Sequence, residues 1–394
     1  MSAKIPAANP HVAAMSPYVP GEQPQGGGWV KLNTNENPYP PSLRSLEAIR
    51  AALVNDGAAL RLYPSPDSAP LREAVARFHD FDAARVVAGN GSDDILNLII
   101  RAYAGPGRPI GILNPSYSLY PVLAAAQAAD VVRVEVTDQL GVDVDAIAKS
   151  GASVFFLTNP NAPLGVAFTP DVVRSVAQAF PGLLVVDEAY AAFADADCVA
   201  LARELPNVIV TRTMSKAHAL AGLRVGYALC PVGVAEILHR VRDSYNVDRL
   251  AQIAAAAALD DREWLDVTVA QICATRERLV TALRKLGWQV NPAAGNFVLA
   301  APVSSARAAS VETSAHCFEF LRARKILVRR FPNHRLTEKS LRISVGTEQE
   351  TDVFLQAAEV GMHIADRVVD LVRDAGGELA DRRQFFRLQQ LLLG

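Results

Sequence analysis

The sequence predicts an α/β chain, with a large domain on a mainly parallel, helix-flanked sheet followed by a smaller α+β domain. Three observations carry this reading. Short apolar runs alternate with longer helical patterns from about residue 85 onward. The runs lack polar alternation, as strands buried on both faces do. Polar motifs follow directly after the runs, where ligands collect in parallel sheets.

The elements follow in order. Residues 1–41 are rich in Pro, Gly and Asn and read as an extended N-terminal arm with too little apolar pattern to fold alone. Ser42 is placed to N-cap a helix running to about Asn55 and to open a large domain over 42–286. Strands are expected at Arg85–Ala88, Ile110–Leu113, Val131–Val136, Val154–Leu157, Leu183–Val186, Val208–Thr211 and Arg224–Leu229. Helices such as Asp93–Tyr103 and Pro170–Phe180 separate most of them. A long helix near Arg262–Leu286 leads to a small domain over 287–362, to which the arm is assigned. Its expected strands are at Val290, Phe297–Leu299, Ile326–Val328 and Leu341–Val345, around a helix near Glu312–Arg324. Residues 363–394 read as a helical tail of unknown role, broken at Gly376–Gly377.

Composition narrows the function. Half of the 394 residues are apolar and a fifth are charged, as in globular enzymes. A net charge of -2 argues against a general nucleic-acid binder, because little here would neutralise many phosphates. Cys198, Cys230, Cys273 and Cys317 are far apart and form no CxxC pair, which suits reduced thiols and no metal site. The proline-broken N-terminus is not a signal peptide, and no apolar run reaches membrane-span length, so a cytoplasmic protein with no membrane role is expected.

Four segments carry chemistry. In VIVTRTMSKAHALAGLRVGY, Lys216 follows a strand and lies among hydroxyl and alanine residues, with Arg224 eight positions later. An apolar setting disfavours the ammonium, as an imine-forming amine requires. LLVVDEAY ends an apolar strand in a carboxylate, Asp187, with Tyr190 three residues on. A carboxylate there can pair with the pyridine nitrogen of pyridoxal 5'-phosphate and keep it protonated. VVAGNGSDDILNLII reads as strand, glycine turn and helix, aiming the N–H groups of Gly91, Ser92 and Asp93 at an anion, with Thr213, Ser215 and Arg224 in support. Tyr117, in NPSYSLYP, is placed to stack on a flat ring. Each has a plain structural alternative as well: a loop lysine, a turn cap, a helix cap and a core aromatic.

Together with PYVPG at Pro17, KLNTNENPYPPS at Lys31, RLYP at Arg61, NPNAPLG at Asn159, NFVL at Asn296 and LRISVGT at Leu341, these motifs resemble the fold-type-I pyridoxal-phosphate aminotransferases. Within them the chain is similar to the histidinol-phosphate aminotransferases over about residues 15–360. The resemblance implies that Lys216 binds the cofactor and moves a proton, and that Asp187 pairs with the ring nitrogen. It further implies that Tyr190 meets the phenolate oxygen and Tyr117 the ring face. Gly91, Ser92, Asp93, Thr213, Ser215 and Arg224 would hold the phosphate, joined by Tyr63 from the partner subunit of a homodimer. Tyr18, Arg330 and Arg342 are the implied substrate-binding set, for a small-molecule amino donor and a 2-oxo acid. The turn departs from the usual Asn-Asn-Pro-Thr-Gly: Ala162 stands before the proline, and Asn161 is the residue assigned to the missing contact.

Other readings share parts of this pattern. An aromatic amino-acid aminotransferase or a threonine-phosphate-type decarboxylase would use the same fold and lysine. A non-catalytic cofactor-binding regulator would not need Lys216 and Asp187 intact. A nucleotide-binding protein would need a GxGxxG or GK[ST] loop, and GNGSDD is neither.

Overall fold

Every apolar run expected between residues 85 and 229 becomes a strand of one seven-stranded sheet. The structure, a computed structural model, describes residues 6–303 and 308–374. The strands are β1 (Val86–Gly89), β2 (Ile110–Asn114), β3 (Val131–Glu135), β4 (Val154–Thr158), β5 (Leu183–Asp187), β6 (Val208–Thr213) and β7 (Gly226–Leu229). Their order across the sheet is β1-β7-β6-β5-β4-β2-β3. Strands β2 to β6 pair in parallel, whereas β7 runs antiparallel to both β1 and β6. The last strand starts at Gly226 rather than at Arg224, because Arg224 takes a left-handed conformation (φ 53°) that ends the preceding turn.

Strands β4 and β5, VFFLT and LLVVD, are buried along their whole length. Helix α1 (Ser92–Tyr103) lays Ile95, Leu96, Ile99 and Ile100 into the same core as Val87, Ile112, Val185 and Ala228. Each large apolar side chain contributes about 1.5–3 kcal/mol on burial. The chain winds outward from β2 to β3 and then returns to place β4 on the other side of β2. That reversal opens a crevice at the C-terminal strand ends.

The chain divides into two compact units, residues 1–20 with 36–271, and residues 21–35 with 272 onward. The boundary falls inside helix α2 (Arg262–Lys285) rather than after residue 286. An unbroken 24-residue helix carries no turn signal, yet Leu279, Val280 and Leu283 of its second half join the smaller unit's core. In that unit Arg329–Arg330, Leu341–Ser344, Phe297–Ala301 and Gln289–Val290 form an antiparallel sheet in that order. Val30–Lys31 of the arm pairs separately with Ile326–Leu327. Two residues are too few to show a strand period in sequence.

The last described helix, α3 (Glu348–Asp374), continues past residue 362. The expected break at Gly376–Gly377 lies outside the described residues. Among those described, no helix is long and apolar enough to cross a membrane.

Candidate active site

The site grows from the parity of two strands. Asp187, which ends β5, is in register with Thr211 of β6, and the Glu188 N–H extends the ladder to the Thr211 carbonyl (2.9 Å). Side chains alternate between the two faces of a sheet. Asp187 and Thr211 therefore share the face toward the crevice, while Glu188 and Arg212 share the opposite face.

Asp187 is 3% exposed. Its Oδ2 accepts from the Tyr120 hydroxyl at 2.6 Å, and Oδ1 accepts from Thr211 Oγ1 at 3.3 Å. Burial raises its pKa to about 6, opposed by the Tyr120 hydrogen bond and abetted by the charge of Asp93. No salt bridge to Asp187 forms among the described residues. Tyr120 gives its proton to Asp187, so Thr158 Oγ1 is left to donate to Tyr120 (2.8 Å), and Ser116 lies 3.0 Å from Thr158. Sequence reasoning picks Tyr117 from NPSYSLYP and passes over Tyr120; nothing in the sequence marks which tyrosine turns inward.

The turn between β1 and α1 forms an anion cradle. Gly91 has φ +86°, a conformation that favours glycine. Its N–H does not face outward as expected but donates to the Gly89 carbonyl (2.9 Å) in a tight local turn. The outward donors are the N–H groups of Ser92 and Asp93, which open α1 without a side-chain cap and lack intrahelical partners. A Cβ on Gly91 would fall 2.5 Å from an Arg224 guanidinium nitrogen, and one on Gly226 would fall 2.3 Å from the Ser92 nitrogen. The Asp93 carboxylate is bonded to Tyr117 Oη (3.2 Å) and Arg224 (3.1 Å), so it orients two neighbours of the cradle. Thr213 Oγ1 donates to Ser215 Oγ (3.0 Å) and accepts the Ser215 N–H (3.2 Å), fixing both hydroxyls.

Lys216 follows the last residue of β6, Thr213, by one short turn, with Nζ 5.9 Å from the centre of the Tyr190 ring. Tyr117 meets Tyr18 edge-on at 6.1 Å and Tyr120 at 5.5 Å. Burial, then the charge of Asp93, raises the Tyr117 phenol well above the ordinary range, so it stays protonated. Asn161 is fully buried. Its amide donates to the Pro115 carbonyl (3.2 Å), and its Oδ1 accepts from the Leu164 N–H (3.3 Å), so the side chain braces its own turn.

The opposite face of β5 and β6 holds a charge cluster in which Glu188 and Arg212 are buried and Asp197 is exposed. Arg212 bridges Glu188 (2.7 Å) and Asp197 (2.8 Å), and Glu188 Oε1 accepts from the Cys198 N–H (2.6 Å). His79 Nε2 lies 2.9 Å from Tyr227 Oη. Burial and the nearby Arg212 hold His79 neutral, with a pKa of about 3.

Tyr63 is 77% exposed and stacks on Tyr245 at 4.5 Å. In the smaller unit Arg342 is buried against Phe297 and Phe331, at 5.3 and 5.1 Å, and donates to the Asn33 carbonyl (2.9 Å). The expected neighbour Arg330 does not join it: Arg329 stands opposite Arg342, while Arg330 is opposite Leu341, on the other face of the sheet.

Residues 27–357 match the family described as aminotransferase class I and II. A histidinol-phosphate aminotransferase of Geobacter sulfurreducens is 45% identical over 353 residues, covering 89% of this chain and 98% of that one. One from Syntrophotalea carbinolica is 44% identical over the same shares. The crystal structure of a histidinol-phosphate aminotransferase from Sinorhizobium meliloti, in complex with pyridoxal-5'-phosphate, superposes with a TM-score of 0.82 at 27% identity. That match covers 92% of this chain and 99% of the other.

Proposed function

The chain belongs to the class I and II aminotransferases, with histidinol-phosphate aminotransferases among its relatives, and from that premise we propose that it transfers an amino group between histidinol phosphate and 2-oxoglutarate. The observation that carries the chemistry is Asp187, a buried carboxylate with no cationic partner among the described residues, at the C-terminal edge of the sheet. It suits a cationic ring nitrogen.

The residues present fit pyridoxal phosphate. A cradle of two free backbone N–H groups and a guanidinium, closed to any Cβ at Gly91 or Gly226, matches a phosphate. When bound, the cofactor supplies an aldehyde for a primary amine and a ring that withdraws electrons from the substrate Cα. Asp187 keeps the ring nitrogen protonated, and Tyr120 and Thr211 hold the carboxylate in place for it. Lys216 Nζ would take the proton from the substrate Cα and carry it through the 1,3-shift as base and then acid. Tyr117 and Tyr190 orient the ring, while Ser92, Asp93, Thr213, Ser215 and Arg224 hold the phosphate.

In the smaller unit Arg342 is proposed to bind the donor's phosphate and the acceptor's carboxylate, and in the larger unit Tyr18 is proposed separately as a substrate contact. The exposed Tyr63, flanked by the exposed Leu60 and Leu62, suits a role across a homodimer interface in the cytoplasm.

The test is an absorbance titration of cofactor-loaded protein with L-histidinol phosphate, beside phenylalanine and threonine phosphate. Loss of the lysine-bound cofactor absorbance at low histidinol phosphate is expected. A response to phenylalanine alone would move the substrate assignment to aromatic amino acids. Lys216→Ala is expected to lose that absorbance and essentially all turnover; retained turnover would overturn the role of the lysine.

A further inference from the structure

The segment Asn37-Pro38-Tyr39 has no part in the chemistry described so far, yet it reaches the main chain of the lysine itself. Asn37 Nδ2 donates to the Lys216 carbonyl (3.1 Å) and to the Ala217 carbonyl (3.0 Å). Its Oδ1 accepts the Tyr39 N–H (2.9 Å), so donors and acceptor of the carboxamide each face a matching partner.

The lysine loop has reason to need such a support. Between β6 and β7 it forms turns and one short 3-10 helix at Ala221–Leu223: Met214 N–H bonds to Val225, Leu220 N–H to Met214, and Ala219 N–H to Lys216 at 3.3 Å. No helix or sheet ladder runs through Lys216, and Ala219 and Arg224 both take positive φ. A loop built this way has local openings that a regular element lacks. Asn37 supplies hydrogen bonds from outside the loop, from a stretch stiffened by Pro38, Pro40 and Pro41. Proline fixes its own φ and restricts the residue before it, so the Asn37 backbone is held before its side chain engages.

We infer that Asn37 is a positioning residue for Lys216, fixing the main chain from which the amine reaches substrate. The inference rests on the proposed role of Lys216 as the proton-transfer group. A misplacement of about 1 Å can cost on the order of a hundredfold in rate.

The experiment compares Asn37→Ala and Asn37→Asp. The second keeps the acceptor for Tyr39, removes the two donors and sets a carboxylate oxygen against the Lys216 and Ala217 carbonyls. In the cofactor-free protein, hydrogen exchange at the Met214 and Leu220 amides is expected to quicken tenfold or more in both variants. In the loaded enzyme, kcat is expected to fall 10- to 100-fold with KM changed less than twofold. The kinetic isotope effect on a Cα-deuterated donor is expected to grow, because the proton transfer itself has slowed. Exchange within twofold of the parent protein in Asn37→Asp would overturn the clamp, even if Asn37→Ala fails to fold. Faster exchange with an unchanged isotope effect would overturn the link to proton transfer. A parent protein that transfers no amino group would sink the proposed function, while the exchange measurement would still decide the clamp.

Discussion

Replacing Asp187 with asparagine is expected to stabilise the cofactor-free protein at neutral pH while abolishing transfer. The folded pKa of about 6 lies above the ordinary value of 3.8. Between those values the folded state holds a proton that the unfolded state has released. Stability from this group is thus fully present below about pH 4 and is lost as pH rises through 6. A shift of about two units corresponds to about 3 kcal/mol. About half of that, roughly 1.5 kcal/mol, disappears between pH 5 and pH 7.5 by the same linkage. With an unfolding entropy of about 2.1 cal/mol/K per residue, this is roughly 2 °C in melting temperature for a chain of this size. The carboxamide of Asp187→Asn does not titrate, so the melting difference between variant and parent should widen by that amount over the same interval. Thermal melts of both proteins, stripped of cofactor, measure it. A difference that is flat with pH, or that narrows, would refute the burial argument. A ring cation placed about 4 Å away would contribute about 4 kcal/mol at an effective dielectric of 20, enough to offset the burial. The pH trend should therefore flatten when cofactor is present.

Two further substitutions probe the supports of the site. Gly226→Ala sets a methyl 2.3 Å from the Ser92 nitrogen and 2.5 Å from the Gly91 carbonyl carbon, so backbone has to move. Cofactor affinity, followed by titration of the stripped protein, should drop tenfold or more; an unchanged affinity would show that the cradle is not the phosphate site. Glu188→Leu leaves Arg212 only its 2.8 Å pair with Asp197 and should destabilise the fold, by less than the about 3–5 kcal/mol of a buried charge with no partner. The double change Glu188→Leu with Arg212→Met should recover most of that loss in urea denaturation. Equal losses in the single and double variants would contradict this account of the pair.

Much of the large unit is legible in the sequence because buried strands announce themselves as unbroken apolar runs: VFFLT and LLVVD admit few other environments. Direction is not legible. The run at Gly226–Leu229 looks like its neighbours but runs against them, since a strand buried on both faces carries no mark of polarity. The site is legible where a residue type is chemically rare at its position, as with Lys216 and Asp187. It is hidden where geometry alone decides. Tyr120 and Tyr117 lie three residues apart in one motif, and only the fold turns Tyr120 onto the carboxylate. The inward amide of Asn161 and the Gly89–Gly91 turn are likewise conformational outcomes. Asn37 is visible only as part of a signature, because its partner is 179 positions away.

The alternation along β5 and β6 bears on which kinds of genetic change this gene can survive. Substitutions test one side chain at a time, but an insertion or deletion of a single residue inverts every side chain beyond it. One residue lost from Val208–Val210 would turn Arg212 toward the crevice and carry Thr211 to the reverse face, separating Asp187 from its hydroxyl partner and Glu188 from its cation. Length changes here are expected to be lost in a deep-mutational library even where the composition stays apolar. At the exposed Asp138–Gln139 turn, between β3 and the helix at Val144–Ala148, the same change moves no functional pair.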